Sequence, residues 1–256
     1  MSEGKPLSSC RLLFVLVLAS VLSTAANAQN VDADGTGIIR RANAAMGCTL
    51  VARDTSISIQ GTLTASSLAT PMHVKIDTQG NDRLRSELDT PKERKTTIIN
   101  AGRGQIHHGD GKVTTLAEHN TSHQRPMHIP CLTNIALPPG QVEAVFVRTE
   151  TAGSDTLDVV DLELNARPKE KFAAARMKTT VWISRTTGYV AKLQYVNSAE
   201  QDANDTELIE IDYSSYRLID GLAIPFHQIT HSGQLTLDLQ IDSVQLNAKA
   251  ADFSLR

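Results

Sequence analysis

Apolar and polar residues alternate over most of the chain beyond residue 54. In the first half, the alternation runs through the segments 54–65, 72–80, 82–90 and 94–116, and Gly-rich turns break the last segment into two runs. A period of two is typical of strands that turn one face to the core and the other to solvent. These segments therefore predict neighbouring strands of an antiparallel sheet.

The alternation is most regular in residues 177–246. Turn signals divide this region at Arg185–Gly188, Asp220–Gly221 and Ser232–Gly233, and Gly supplies the positive φ that tight hairpin turns need. The region predicts a five-stranded meander, and two more strands precede it; for the whole chain we predict about ten strands. Pro225 lies inside one of these strands, which is tolerated where its missing N–H faces a gap, a bulge or an edge.

One amphipathic helix is predicted before the first strand, from Asp34 to Gly47. Helical spacing places a set of apolar residues on one face, and Gly47 suits the C-terminal stop. The residues of that face are Ile38, Ile39, Ala42, Ala45 and Met46. Such a helix needs a sheet to lie against.

Residues 117–141 interrupt the strand pattern with four prolines and no alternation. A connection of this length in a compact domain is usually a lid or a binding loop, and we predict a lid-like insertion with one or two short helical pieces. The predicted fold class is α+β and mostly β: a curled antiparallel sheet with the helix and the lid on its concave side. Because aromatic residues form only 4% of the chain, we expect an apolar hollow there, which is where ligands bind by default.

The first 28 residues have the pattern of a secretory signal peptide. Lys5 and Arg11 precede the apolar run Leu12–Leu22, and Ala26-Asn27-Ala28 is the small-x-small pattern that a signal peptidase cleaves. Cys10 lies before the apolar run, whereas a lipidated cysteine follows it. We therefore expect an exported, soluble periplasmic protein; an uncleaved membrane anchor is the alternative.

Cleavage after Ala28 leaves 228 of the 256 residues, 29–256, which suits a single domain. The removed segment carries two basic and one acidic residue, so the net charge of −3 becomes −4. With this charge and no basic run, nucleic acid is not an expected partner. Two cysteines remain, Cys48 and Cys131, and they either pair in a disulfide or stay as free buried thiols.

Three stretches of the C-terminal half, "VWISRTTGYVAKLQY", "DYSSYRLIDGLAIPFHQIT" and "IDSVQLNAKAADFSL", carry a family resemblance. With "RLRSEL" earlier in the chain, they resemble the lipoprotein-carrier (LolA/LolB-like) superfamily and its outer-membrane lipoprotein-sorting proteins, most strongly over residues 178–253. The resemblance implies an incomplete β-barrel whose apolar cavity takes up acyl chains, with membrane-bound donor and acceptor proteins as partners. The chain departs from the family at His107 and His108, where such carriers have a tryptophan.

The apolar row of each C-terminal strand is the predicted wall of that cavity. An ordinary packed core without a ligand has the same pattern, and it is the competing interpretation. The predicted wall residues are Val181, Ile183, Leu193, Tyr195, Ile209, Ile211, Tyr213, Leu222, Ile224, Phe226, Leu235, Leu237, Leu239 and Ile241.

Five of the eight histidines lie between residues 107 and 128. His119 and His123 are four residues apart, and His128 and Cys131 follow, so a metal site is a weak alternative. No nucleophile or phosphate-binding motif is present, so we expect no enzyme and no cofactor. Our hypothesis is a monomeric periplasmic carrier of lipid or lipoprotein acyl chains; the alternatives are a structural or interaction protein with a filled core, and a metal-binding protein.

Overall fold

The fold was determined from a computed structural model of the chain. It describes residues 34–51, 54–68, 70–90, 92–117, 121, 126–137, 140–165, 178–198, 205–249 and 251–255.

Thirteen strands form among the described residues, where about ten were predicted. The run from Arg94 to Leu116 gives three strands because the turns at 101–102 and 109–111 each reverse the chain. The strands are β1 (Ser56–Ala65), β2 (Met72–Gln79), β3 (Arg83–Asp89), β4 (Arg94–Asn100), β5 (Arg103–His107), β6 (Val113–Thr115), β7 (Val142–Ala152), β8 (Asp155–Leu164), β9 (Lys178–Ser184), β10 (Val190–Ser198), β11 (Thr206–Ile219), β12 (Leu222–Ser232) and β13 (Leu235–Leu246).

All thirteen strands belong to one antiparallel sheet in the order β6-β5-β4-β3-β2-β1-β13-β12-β11-β10-β9-β8-β7. Each half of the chain is a meander, and the pairing of β1 with β13 joins the two halves. The sheet is not closed: β6 and β7 are its edges, and the chain between them, 116–141, connects the two edges. The predicted fold class, mostly β with one curled antiparallel sheet and an N-terminal helix, is confirmed.

Pro225 lies in β12 opposite Tyr216 of β11. The pairing of β12 with β13 covers only His227 to Ser232. The proline therefore occupies a part of β12 with no partner on the β13 side, and its missing N–H breaks no hydrogen bond there. The strand–turn–strand prediction over Tyr216–Thr230 is confirmed.

Helix α1 (Gly35–Met46) lies on the concave side, against β7, β8 and β12. The Asp34 side chain caps its first turn by accepting from the Thr36 N–H at 3.0 Å. Gly47 ends it with a φ of +72°, and a Cβ at this position would collide with the Gly221 carbonyl. Ala45 is the one predicted apolar-face residue that is exposed, because it lies beside the buried stripe.

Residues 126–137, which we call the plug, lie on the same concave side as α1. The plug contains two short 3-10 turns, Pro130–Leu132 and Asn134–Ala136. Ile129, Leu132 and Ile135 of the plug are fully buried in the main core. Together α1 and the plug fill the concave face of the C-terminal half of the sheet.

Candidate functional site

A cavity of about 120 Å³ remains on the concave side, beside the plug. Its lining comes from β1, β2, β3, β13 and β12, which are five consecutive strands of the sheet, and from one plug residue. Five strands in a flat sheet span about 19 Å. Because both ends of this row line one small cavity, the sheet must curl strongly around it. The lining residues are Leu63, Val74, Ile76, Ser86, Leu88, His128, Gln228, Thr230, Leu237 and Leu239.

Alternation along the strands explains why this wall is mostly apolar. On β2, Val74 and Ile76 turn to the concave side, and Lys75 turns to the outer face. On β3, Ser86 pairs with Ile76, and Leu88 pairs with Val74. The N-terminal half of the sheet therefore presents an apolar row to the cavity, interrupted by one hydroxyl.

Hydrogen bonds from the sheet hold the plug over this cavity. The Tyr213 hydroxyl donates to the Met127 carbonyl at 2.6 Å, and Gln228 Nε2 donates to the His128 carbonyl at 2.8 Å. Burial raises the pKa of Tyr213 well above its usual value, with smaller contributions from nearby tyrosines. The tyrosine therefore keeps its donor proton at every physiological pH.

The far end of the plug is held in the same way. Asn43 of α1 donates to the Ile135 carbonyl at 2.8 Å, and Asn134 donates to the Thr179 hydroxyl at 3.2 Å. A segment held by buried side chains and by hydrogen bonds from both α1 and the sheet is fixed in place. The lid predicted over residues 117–141 thus includes an anchored part, residues 126–137; residues 118–120, 122–125 and 138–139 lie outside the described residues.

A disulfide between Cys48 and Cys131 ties the plug to the turn that follows α1. Their Cα atoms are 4.9 Å apart, although 83 positions separate them in sequence. The structure therefore contains the bridge, which was one of the two alternatives left open by the sequence.

His128 is the one ionisable residue in the cavity lining. Burial lowers the pKa of its imidazole, and a hydrogen bond with Gln228 opposes this shift. The ring is therefore neutral at pH 7, with one nitrogen able to donate a hydrogen bond and the other able to accept one.

Most of the predicted wall residues lie elsewhere, in the part of the core filled by α1 and the plug. Leu237 and Leu239 line the cavity. Tyr195 and Leu235 are half-buried outside it. The remaining ten are buried in the main core: Val181, Ile183, Leu193, Ile209, Ile211, Tyr213, Leu222, Ile224, Phe226 and Ile241. That they contact a ligand stays a prediction.

Sequence reasoning missed the N-terminal wall of the cavity, from β1, β2 and β3. The same alternation marks Val74, Ile76 and Leu88, so their inward direction was visible in the sequence. One feature of the sequence distinguishes this wall from an ordinary core row: Ser86 places a hydroxyl in the middle of the inward-facing apolar row of β3. Residue parity shows which side chains face inward, but not which part of the concave face α1 leaves uncovered.

The histidine-rich region does not converge on one site in the described part of the chain. His107 lies on the outer face of β5, and His108 Nε2 is 3.2 Å from the hydroxyl of Thr114 in β6. Cys131 is held in the disulfide, and His119 and His123 lie outside the described residues. Within the described ranges, no group of three His, Cys, Asp or Glu residues could hold a metal ion.

A second, charged pocket of about 410 Å³ lies on the outer face of β2–β5, beneath residues 251–255. Its charges pair with one another: Lys75 Nζ lies 3.0 Å from Asp77, and Arg85 Nε donates to Glu87 at 2.8 Å. Burial opposes the ionisation of Glu87, but the hydrogen bond and charge of Arg85, aided by Arg94 and Lys75, leave its pKa lowered. Paired charges on neighbouring strands stabilise the face of a sheet, so the charges of this pocket have a structural role. The apolar cavity is therefore the stronger candidate for a ligand site.

None of the helices in the described ranges has the length and apolar character needed to cross a membrane. A scan against protein-family models finds no match, and a search of curated proteins by sequence also finds none. Solved structures do match. An outer membrane lipoprotein-sorting protein domain from Vibrio parahaemolyticus superposes with a TM-score of 0.56 at 9% identity, covering 85% of this chain and 94% of that one.

A LolA superfamily protein from Nitrosomonas europaea gives a TM-score of 0.55 at 13% identity, covering 86% of this chain and 95% of that one. The chain has a LolA-like fold. A DUF1329 family protein from Desulfovibrio piger has the same architecture, with a TM-score of 0.56 at 9% identity and coverage of 86% and 98%. At these identities the likeness concerns the LolA-like fold.

Proposed function

We propose that the protein is a non-catalytic, exported carrier that holds an acyl chain of a lipid or lipoprotein in the concave cavity of its LolA-like sheet. The observation that carries this proposal is the apolar cavity between the plug and the five strands β3, β2, β1, β13 and β12. No charged side chain lines it at neutral pH. Burying an acyl chain there is worth about 0.8 kcal/mol for each CH₂ group.

The cavity must widen to accept a long chain, because 120 Å³ is below the range of about 300–1,000 Å³ that ligand pockets occupy. The half-buried apolar residues beside the main core include Leu63, Leu84 and Leu88 of β1 and β3. The opposite side is fixed by the plug and the disulfide. We infer that the β1–β3 wall moves away from the plug when a ligand enters.

The sequence features of residues 1–28 support export to the periplasm with cleavage after Ala28, which leaves a single domain over 29–256. A carrier in that compartment would take its cargo from one membrane-bound partner and deliver it to another. N-terminal sequencing of the protein recovered from the periplasm tests the first step: Gln29 as the first residue is the expected result, and an intact N-terminus on a membrane-bound protein would contradict it.

Binding is tested with the purified mature protein by native mass spectrometry and by titration with a fluorescent fatty acid. Retained lipid or saturable probe binding is the expected result. Leu88→Trp should reduce probe affinity because the larger side chain occupies the cavity. Leu218→Trp is the matched control, since Leu218 is 62% exposed and lies outside the cavity.

A filled-core interaction protein is the second candidate, and the small cavity volume is the observation that favours it. This second candidate predicts a protein that retains no lipid and does not bind the fluorescent fatty acid. Under that outcome the Leu88→Trp variant would change stability alone, and the carrier proposal would be rejected.

A further inference from the structure

The two halves of the plug are held by different means. The second half, residues 130–137, is tied covalently to the turn after α1 by the Cys48–Cys131 disulfide. The first half, residues 126–129, precedes this bond in the chain, and we call it the gate. Because the covalent tie lies beyond the gate, the gate can leave the sheet while the second half of the plug stays in place.

Noncovalent contacts hold the gate against the sheet. The Tyr213 hydroxyl donates to the Met127 carbonyl at 2.6 Å, and Gln228 Nε2 donates to the His128 carbonyl at 2.8 Å. The Ile129 side chain is fully buried in the main core. Contacts of this kind break reversibly, and opening a short segment needs less free energy than unfolding the whole domain.

His128 of the gate lies in uncharged surroundings. It is half-buried, and the other residues that line its cavity, from β1, β2, β3, β12 and β13, are all uncharged. From β11 comes Tyr213, which keeps its proton, and from α1 the neutral Asn43. Residues 126–137 contain no Asp, Glu, Lys or Arg. Within the described ranges, the elements packed against the plug therefore present no carboxylate to the imidazole.

These surroundings favour the neutral ring. Burial lowers the pKa of His128 from 6.5, and the hydrogen bond of the ring with Gln228 offsets only part of this shift. A proton on the ring adds a positive charge that no neighbouring carboxylate balances, which is costly in apolar surroundings. Outside the cavity the ring is hydrated and has an ordinary pKa of about 6.5. Acid therefore stabilises the open gate relative to the closed gate.

We propose that the gate is an acid-sensitive device: protonation of His128 releases residues 126–129 from the cavity, while the Cys48–Cys131 disulfide keeps the second half of the plug in place. The opening is a property of the plug and needs no ligand. Its consequence for cargo, that acid uncovers the cavity and releases an acyl chain, rests on the proposed function.

The size of the effect follows from the uptake of one proton on opening. While the ring of the closed gate stays neutral, the population of the open gate rises in proportion to the proton uptake of a hydrated imidazole. With a pKa of about 6.5 in the open gate, this population should increase by about 30-fold between pH 7.5 and pH 5.0.

Hydrogen exchange of single backbone amides, followed by NMR on the mature protein without ligand, measures this opening. The reporter is the Ile129 N–H, which donates to the Pro126 carbonyl at 3.4 Å within the gate. Its protection factor, the intrinsic exchange rate at a given pH divided by the measured rate, should fall by about 30-fold from pH 7.5 to pH 5.0. At both pH values it should be lower than the protection factors of Val160 and Leu162 in β8, because the gate opens without the sheet.

His128→Gln is the test variant, since glutamine stays neutral at both pH values, and the protection of Ile129 should then be independent of pH. The matched control is His231→Gln, which should behave as the wild type. His231 lies on the same strand as the cavity residue Thr230 but on the outer face, and its side chain is 46% exposed.

Three results would overturn the inference. They are an Ile129 protection factor that is equal at both pH values in the wild type, an equal fall in His128→Gln, or Ile129 protection that matches that of the β8 amides, which would mean that the gate opens only with the whole domain. The first and third results need only the wild type, so they decide even where a variant does not fold. A fluorescent fatty acid that fails to bind at pH 7.5 rejects the proposed function but leaves the exchange result unaffected.

Discussion

The disulfide between Cys48 and Cys131 should supply a large share of the stability of this domain. The perturbation is reduction of the mature protein or the double substitution Cys48→Ser, Cys131→Ser. Both sulfurs are inside the main core, where they join the end of α1 to the plug. No other cysteine occurs in residues 29–256. Any effect of a reductant therefore traces to this bridge.

The magnitude follows from the 83 positions that separate the two cysteines. Closing a loop of that length removes conformational entropy from the unfolded chain worth about 4.5 kcal/mol at 25 °C. Domains are stable by about 5–15 kcal/mol in total, so the loss is severe but survivable. The plug's buried side chains and its hydrogen bonds remain, and we expect a folded, weakened protein.

Urea unfolding followed by circular dichroism measures this loss. With a slope of about 2–3 kcal/mol per molar, the midpoint of urea unfolding should fall by about 1.5–2.3 M in the reduced protein and in the double variant alike. The variant treated with reductant is the control, and it should show no further change. An unchanged urea midpoint after reduction would contradict this prediction. It would show that the turn after α1 and the plug stay together equally well without the disulfide.

Three further predictions concern the elements around the cavity. Gly47→Ala should destabilise the fold by about 2 kcal/mol or more in urea unfolding, because φ is +72° and a Cβ meets the Gly221 carbonyl; an unchanged midpoint would contradict this close approach. Tyr213→Phe should cost about 1–3 kcal/mol, since it leaves the Met127 carbonyl without its donor; a neutral effect would show that the hydrogen bond does not hold the plug. Burial lowers the pKa of His128 from 6.5, so the unfolded chain binds the proton first, and the free energy of unfolding should fall below about pH 6.5 by up to about 1.4 kcal/mol per pH unit. His128→Gln should remove that part of the slope, and an identical pH profile in wild type and variant would contradict the assignment.

The strands, turns and helix of this fold could be predicted from local pattern. Alternation marks each strand, and Asp220–Gly221 supplies the positive φ of its hairpin turn. The edges of the sheet and the β1–β13 pairing could not be predicted in this way, because they join residues far apart in sequence. Only the family resemblance suggested that the sheet stays open.

Most of the predicted wall residues lie on a different part of the concave face from the cavity of the structure, for a similar reason. Ile183 and Leu193 do turn inward as predicted, but α1 and the plug cover that half of the sheet. The part of the sheet that is covered depends on the position of α1. The apolar stripe of α1 shows which face of the helix is buried, but not where on the sheet the helix lies. The plug shows no alternation of apolar and polar residues, so the burial of Ile129, Leu132 and Ile135 could not be predicted. The sequence pattern indicated only a movable lid over this region.

The central claim is that an acyl chain occupies the cavity between the plug and the β1–β3 wall. Cross-linking with a photoactivatable fatty acid, followed by peptide mass spectrometry, tests it most directly. We expect labelled peptides that contain Val74 to Leu88 of β2 and β3, and Leu237 of β13. Labelling confined to the peptides around Ile183 and Leu193, or to the outer face, would contradict it.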